Sequence, residues 1–488
     1  MSKRAITIWT FIVTSVAVFM VSLDNLVVTT ALPVIKQQLG ASLSGLEWTV
    51  NAYTLSYAVL LLTGAVLGDR FGRKRVFLGG LALFTIGSVA AAVAPGINSL
   101  IAARALQGIG GGIAAPLTLT ILSAAVPPER RGLALGVWGG VSGLAIAVGP
   151  VVGGAVVQGL SWQWIFWINV PIGIVLLPIA WRRLTETTGP NRSVDLPGLG
   201  LISTGLFGLV FGLVRGNEHG WTSFGVSGPI GAGFVLLAAF VLWERRVEQP
   251  MVPLRFFRNR AFSAANVTSL LMSFGMFGSI FLLAQFFQVV QHYSPLEAGL
   301  RTLPWTAMPI VVAPIAGMLS DRIGSRPLLV AGMTLMTVGL GWFAVISSPT
   351  TAYGNMVPPL AVSGIGMSLA FAPLSNLVLS TVRRKEEGKA SGVNATVREV
   401  GGAFGVAVLA SVFSAAGGYA SGQLFVDGMR AALWVGTGAL ALAAVAAIVI
   451  PPKQDVVPGS VSLLEPLLER DAHEGEGGGA LLPEPLHE

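Results

Sequence analysis

The sequence predicts an all-α polytopic membrane protein with fourteen transmembrane helices, two six-helix halves with two helices inserted between them. Three observations predict it. Of 488 residues, 53% are apolar and only 11% are charged, against roughly 25% charged in soluble globular proteins. The apolar residues fall in long blocks separated by short basic loops. A ten-residue motif recurs 252 residues further on. The same figures exclude a soluble enzyme and a disordered chain, and the absence of cysteine excludes a disulfide scaffold.

A helix needs about 20 apolar residues to cross a hydrocarbon core about 30 Å thick. That ruler places the first six spans near 10–35, 47–67, 76–94, 98–122, 132–157 and 163–183. Two short, glycine-rich spans follow near 197–215 and 225–244. Six more lie near 262–289, 297–319, 327–347, 356–381, 390–416 and 429–450. The first block has a charged start, but it is longer than the roughly 7–15 residues of a signal-peptide core and no small-x-small cleavage site follows. It is therefore a span.

Orientation follows from the bases. With the N-terminus inside, 24 of the 30 Lys and Arg fall on the inner side. Lys36, Arg215, Arg301 and Arg430 fall at outer ends, and Arg104 and Arg398 within spans. Basic residues stay on the cytoplasmic side, so both termini are expected there. The tail, 451–488, holds eight acids and two bases and has the composition of a disordered cytoplasmic extension. Without it the body carries +13, a charge distributed over inner loops, which gives no reason to expect a nucleic-acid partner.

Two stretches repeat. Ala65-Val66-Leu67-Gly68-Asp69-Arg70-Phe71-Gly72-Arg73-Lys74 follows the second span, and Gly317-Met318-Leu319-Ser320-Asp321-Arg322-Ile323-Gly324-Ser325-Arg326 follows the tenth. Gly132-x-Ala134-x-Gly136 is echoed by Gly388-x-Ala390-x-Gly392, 256 residues on. The chain then divides into a first half (1–190), two inserted helices (191–250), a second half (251–450) and the tail (451–488). Parallel repeats of this kind place a substrate near the midplane between halves.

Several motifs occur together in order: Leu23-Asp24-Asn25-Leu26-Val27-Val28-Thr29-Thr30-Ala31-Leu32-Pro33, Asp69 to Lys74, Arg104-Ala105-Leu106-Gln107-Gly108-Ile109-Gly110, Gly149-Pro150-Val151-Val152-Gly153-Gly154, and Trp162-Gln163-Trp164-Ile165-Phe166-Trp167-Ile168-Asn169-Val170-Pro171-Ile172-Gly173. Over about 1–450 this set resembles the major facilitator superfamily, specifically its 14-helix drug:proton antiporter branch. Ala65 and Ala145 stand where that pattern has glycine, small for small. The resemblance implies multidrug or antibiotic efflux by alternating access from a bacterial cytoplasmic membrane. It also implies a lipophilic small-molecule substrate exchanged for protons, a proton gradient in place of any cofactor or ATPase partner, and a single working chain.

Charges within the spans are few. A charge at mid-bilayer costs about 2.5–3.5 kcal/mol on insertion scales, so each needs a reason. Asp24 lies near the middle of the first span, where desolvation favours the protonated carboxyl, chemistry suited to taking up and releasing a proton or to holding a cation. Arg104 cannot lose its charge and is expected to pair with a carboxylate, with Gln107 on the same face one turn on. Arg398 and Glu399 are neighbours and point about 100° apart in a helix, so they are not expected to face each other; Glu399 is a second candidate proton site. Asp69, Arg70, Gly72 and Arg73, repeated as Asp321 and Arg322, form a gate candidate, because a carboxylate can hold basic side chains or a helix N-terminus in one conformation and release them in another. Gly149, Pro150, Gly153 and Gly154 permit close helix approach and a kink, so that end of the fifth span can seal against a partner.

Tyr53, Tyr57 and Trp138 are candidates to line a pocket for flat lipophilic cations. Trp162, Trp164 and Trp167 are expected in an interfacial belt. There is no Gly-x-x-x-x-Gly-Lys-Ser/Thr loop, hence no P-loop ATPase, and the four histidines have no metal-ligand spacing, so no metal site is expected. Two rivals remain: an exporter dedicated to one metabolite, such as a self-made antibiotic, a siderophore or an amino acid, and a non-transporting sensor or intramembrane enzyme. The last would need a nucleophile–base or metal constellation or a folded output domain, and none is visible.

Overall fold

The computed structural model describes residues 3–126, 131–188, 195–248, 250–382 and 386–452. The tail from 453, the side chain of Asp321 and most side chains of 131–147 lie outside the described residues. The first half runs through α1 (Lys3–Leu39), α2 (Leu43–Phe71), α3 (Arg73–Ala92), α4 (Ile97–Ala125), α5 (Arg131–Gly159), α6 (Trp164–Trp167) and α7 (Asn169–Arg183). The insertion is α8 (Leu196–His219) and α9 (Phe224–Glu244). The second half is α10 (Arg260–Gln285), α11 (Pro295–Arg301), α12 (Leu303–Thr306), α13 (Met308–Ile323), α14 (Ser325–Ile346), α15 (Tyr353–Ser380), α16 (Glu387–Ala416) and α17 (Gly422–Ile448). No strand occurs among the described residues.

Twelve helices among the described residues are long and apolar enough to span a bilayer, and thirteen if α2, bent by 47° between Leu61 and Thr63, is one span. From α5 only Val148–Gly159 is apolar helix among the described side chains, and it is too short to enter that count. The multi-pass helical class is therefore established, and the fourteenth span depends on the part of α5 whose side chains lie outside the described residues.

Prolines explain where spans break. Pro171 has no N–H and its ring crowds the carbonyl four residues earlier, that of Trp167, so the sixth span divides at Ile168 into α6 and α7. Pro304 and Pro309 sit in the first turns of α12 and α13, where the tenth span, Pro295–Ser320, is interrupted at Thr302 and Ala307. The repeated motif folds alike both times. Gly72 closes α2 at φ +103° with its N–H on the Gly68 carbonyl (3.0 Å), and Gly324 closes α13 at φ +82° with its N–H on the Ser320 carbonyl (2.9 Å). Only glycine takes that conformation without strain.

The halves meet along two seams, α2 against α16 and α5 against α11 to α13. Helix α8 packs over the first seam, where Val210 joins Ala58 of α2 and Ala407 of α16 in one apolar cluster. Helix α9 packs on α8 and leaves Phe224, Phe234 and Val235 exposed, as a lipid-facing helix should.

Candidate coupling site and gates

Asp24 of α1 and Arg104 of α4 form a buried ion pair. Arg104 Nη1 donates to Asp24 Oδ2 and, at 3.0 Å, to Gln107 Oε1; its Nε donates to the Thr49 carbonyl of α2 at 3.2 Å. Asp24 Oδ1 accepts from Gln107 Nε2 (3.1 Å) and Asn169 Nδ2 (2.7 Å). Gln107 Nε2 also donates to Ser88 Oγ of α3 at 2.7 Å. The guanidinium carbon lies 4.2 Å from the centre of the Tyr53 ring, and the Tyr53 hydroxyl donates to the Val21 carbonyl at 3.1 Å. Arg104 is 0% exposed and Asp24 2%, so five helices enclose a charge pair without water contact. Such a pair is held by its partners, because a buried charge left alone costs several kcal/mol.

The glycines of α4 make this possible. A Cβ at Gly108 would stand 2.4 Å from the Tyr53 carbonyl oxygen, and one at Gly110 would stand 2.3 Å from the Phe84 nitrogen. Their absence lets α4 press on α2 and α3 together, which sets Arg104 on Tyr53 and Gln107 on Ser88. Tyr53 is thereby corrected: it is packed behind the ion pair and does not line an open pocket. Tyr57 stacks on it with centroids 5.8 Å apart, and Trp138 of α5 is half-buried.

In the second half Glu399 is buried and Arg398 half-buried. The expectation that they do not face each other fails: Arg398 Nη2 lies 3.6 Å from Glu399 Oε1. Their backbone bonds diverge, but the long arginine arm curls back to its neighbour. Both stand on α16, the helix that packs on α2 across the first seam.

At the motif between α2 and α3, Asp69 accepts from Arg73 Nε at 2.9 Å, with Arg73 Nη2 at 2.8 Å, and Arg70 lies 5.1 Å from the centre of the Phe71 ring. The helix N-terminus is taken by another carboxylate, Glu186, which accepts from the backbone N–H of Lys74 (2.9 Å) and Arg75 (3.3 Å). Arg322 is exposed, while the side chain of Asp321 lies outside the described residues.

The glycine–proline motif divides between two neighbours. A Cβ at Gly149 would stand 2.8 Å from Leu26 Cβ, and one at Gly153 2.8 Å from the Val27 carbonyl oxygen, both on α1. Gly154 and Pro150 face the second half: a Cβ at Gly154 would stand 2.2 Å from the Pro295 carbonyl oxygen, and one at Gly299 2.2 Å from that of Pro150. At the same end Gln288, carried by the π-type turn 286–290, donates to the Thr30 carbonyl at 2.9 Å, and the Leu296 N–H donates to Gln158 Oε1 at 3.2 Å. The halves are thus in backbone contact here. Beside the contact lies a small cavity of about 10 Å³ whose lining includes Thr29, Pro150, Thr302 and Trp305 and no charged side chain. Trp162, expected in the interfacial belt, is 1% exposed and packs edge-on against Phe166; Trp164 is exposed, as expected.

The family model for the Major Facilitator Superfamily matches residues 14–406. The chain belongs to the major facilitator superfamily. It is 35% identical over 402 residues to the Tetracenomycin C resistance and export protein of Streptomyces glaucescens, covering 82% of this chain and 74% of that one. It is 34% identical over 408 residues to the Multidrug resistance protein Stp of Mycobacterium tuberculosis, covering 83% and 76%. A bacterial homolog of the human lysosomal transporter Spinster, solved inward-facing, superposes with a TM-score of 0.67 at 15% identity, covering 91% of this chain and 97% of that one, a likeness of fold. Among the site residues of this superfamily member, Gln107 lies on the face of α4 that carries Arg104, and the carboxylate that Arg104 meets is Asp24. Asn169, Ser88, Glu186 and the buried Glu47 did not stand out in the sequence. The first two are uncharged and escape a search for charges, although Asn169 lies inside a motif quoted above. Glu186 lies in a loop, and Glu47 stands at the very start of an expected span.

Proposed function

We propose that this chain is a proton-coupled antiporter that exports hydrophobic or cationic drugs and antibiotics across a bacterial cytoplasmic membrane by alternating access. It works as a single chain with both termini cytoplasmic, and protons are its only co-substrate. The observation that carries this reading is the buried Asp24–Arg104 pair. Protonating Asp24 Oδ2 cancels its charge and leaves Arg104 without its counter-ion; releasing that proton restores the pair. The two states differ by a full buried charge interaction, enough to bias a helix arrangement. Glu399 is a second acceptor, and Asp69 with Arg73 a gate contact that changes between the two arrangements. The side chains lining the closed α5–α11 seam are uncharged, a surface that suits a lipophilic cargo once the seam opens.

A dedicated exporter of one metabolite is the second reading, favoured by the relative whose name gives a single antibiotic. A susceptibility panel in a pump-deficient host separates them: protection against many unrelated compounds supports the first, against one compound class the second. In inverted vesicles, adding a compound so identified should collapse an imposed pH gradient. Wild-type vesicles that pump without moving protons would refute antiport.

A further inference from the structure

We infer that Asn169 is the positioning residue that sets how readily Asp24 takes its proton. The inference rests on the reading of Asp24 as the protonated group. Three observations on Asn169 converge. It is the first residue of α7, two positions before Pro171, in the span that runs from Trp164 to Arg183. Its Nδ2 makes the shortest contact to Asp24 Oδ1, 2.7 Å, on an oxygen shared with Gln107. Its own Oδ1 is buried and has no hydrogen-bond partner among the described residues, and the same is true of Arg104 Nη2. Native proteins rarely leave such atoms unpaired without a use.

The geometry gives that spare oxygen a use. Ionised Asp24 only accepts, and here it receives Arg104, Gln107 and Asn169. Protonated Asp24 becomes a donor and needs an acceptor. A half-turn of the Asn169 amide exchanges Nδ2 for Oδ1 and supplies one with no movement of the backbone. Gln107 is less free to turn, since its Nε2 is also committed to Ser88 and its Oε1 to Arg104. Asn169 therefore answers both protonation states of the carboxyl, while the other partners answer one.

The charged and titratable groups that face Asp24 are Arg104 from α4 and Tyr53 from α2. From α16, Glu399 and Arg398 are the charged groups, 3.6 Å from each other. The bases of α7 (Arg182, Arg183), of α5 (Arg131) and of α10 (Arg260) stand at the far ends of those helices, α6 carries none, and Glu297 and Arg301 of α11 lie at the outer end beyond the seam. Among the uncharged donors, Asn169 is the one that can be changed while the ion pair and its arginine stay intact.

The test is an infrared titration of the purified full-length protein, following the carboxyl C=O band that disappears in Asp24→Asn. It requires no transport and no substrate. Asn169→Leu keeps the volume but removes donor and acceptor; the ionised carboxyl loses a charge-assisted bond and the protonated one a weaker neutral bond, so the band's midpoint should move to the alkaline side by the difference, up to about one pH unit. Asn169→Ser, with a hydroxyl that donates and accepts, should recover part of that shift if it is folded to the wild-type yield. A midpoint unchanged in folded Asn169→Leu, or no band titrating between about pH 4 and pH 10, would overturn the inference. A shifted midpoint in a protein whose vesicles move no protons would keep the role of Asn169 and refute only the antiport reading.

Discussion

Lys36 of α1 places its Nζ 2.8 Å from the centre of the Tyr419 ring, in the turn between α16 and α17. A residue of the first half thus closes onto the second, at the same end as the Gly154–Pro295 and Gln288–Thr30 contacts. Burial, with the nearby charge of Glu47, pushes the Tyr419 phenol up, so it stays neutral and donates to Gln285. A cation over an aromatic face contributes about 1 kcal/mol, or about fivefold in an equilibrium. Lys36→Gln is expected to favour the state open at this end by that factor. The chain has no cysteine, so a single Thr302→Cys reporter in the cavity suffices: its labelling by an impermeant maleimide should rise about fivefold. An unchanged rate would remove Lys36 from the closure.

Gly154 gives a steric version of the same experiment. A Cβ there meets backbone, 2.2 Å from the Pro295 oxygen and 2.7 Å from Leu296 Cα, and backbone in a packed seam cannot step aside as a flexible side chain can. Gly154→Ala should fold, since the three atoms nearest the added Cβ all belong to the second half, but should fail to close this end. Efflux is expected to fall at least tenfold, the consequence of about 1.4 kcal/mol or more against the closed state, while Thr302→Cys labelling rises. Normal efflux in Gly154→Ala would show that the close approach is not needed for turnover.

These contacts mark the limit of what a linear pattern discloses. Apolar block lengths place the helices, because the bilayer imposes a length that sequence alone can match. Asp24 and Arg104 are legible because charge within a span is rare and expensive. Their union is not, since it depends on Gly108 and Gly110 drawing α4 onto two helices at once. Asn169 is hidden for a different reason: it is uncharged, and its importance comes from a tertiary contact with Asp24, 145 positions away. Lys36 and Tyr419 are 383 positions apart and join the halves through tertiary packing, to which motif spacing is blind.

The loop between α2 and α3 separates stability from transport. The Asp69–Arg73 pair is partly exposed and four residues apart on one turn, so it contributes at most about 1 kcal/mol to folding. Asp69→Asn should leave the thermal midpoint in detergent within a few degrees of wild type and reduce efflux about tenfold or more if the contact must form and break in each cycle. Glu186→Ala removes the carboxylate at the α3 N-terminus, worth up to about 1 kcal/mol, and should add to that loss of efflux. Wild-type transport in both single variants would reduce the motif to membrane anchoring.

The ion pair itself makes the sharpest prediction because the two partners are not equivalent when removed. Arg104→Gln leaves Asp24 buried and facing only Gln107 and Asn169; the carboxylate loses its cation and the protein should lose about 3–5 kcal/mol. Growing stabilisation as the pH is lowered is expected for this variant, since protonating Asp24 abolishes the orphaned charge. Asp24→Asn leaves Arg104 charged at every accessible pH, so its destabilisation should be flat with pH. The double variant Asp24→Asn with Arg104→Gln replaces a salt bridge by neutral amides that can bond one another, and should be more stable than either single variant, because the penalty in each comes from the charge left behind. Unfolding midpoints of the four proteins across pH complete the cycle. Additive losses in the double variant would mean that Asp24 and Arg104 do not depend on each other, and the coupling assigned to them would fall.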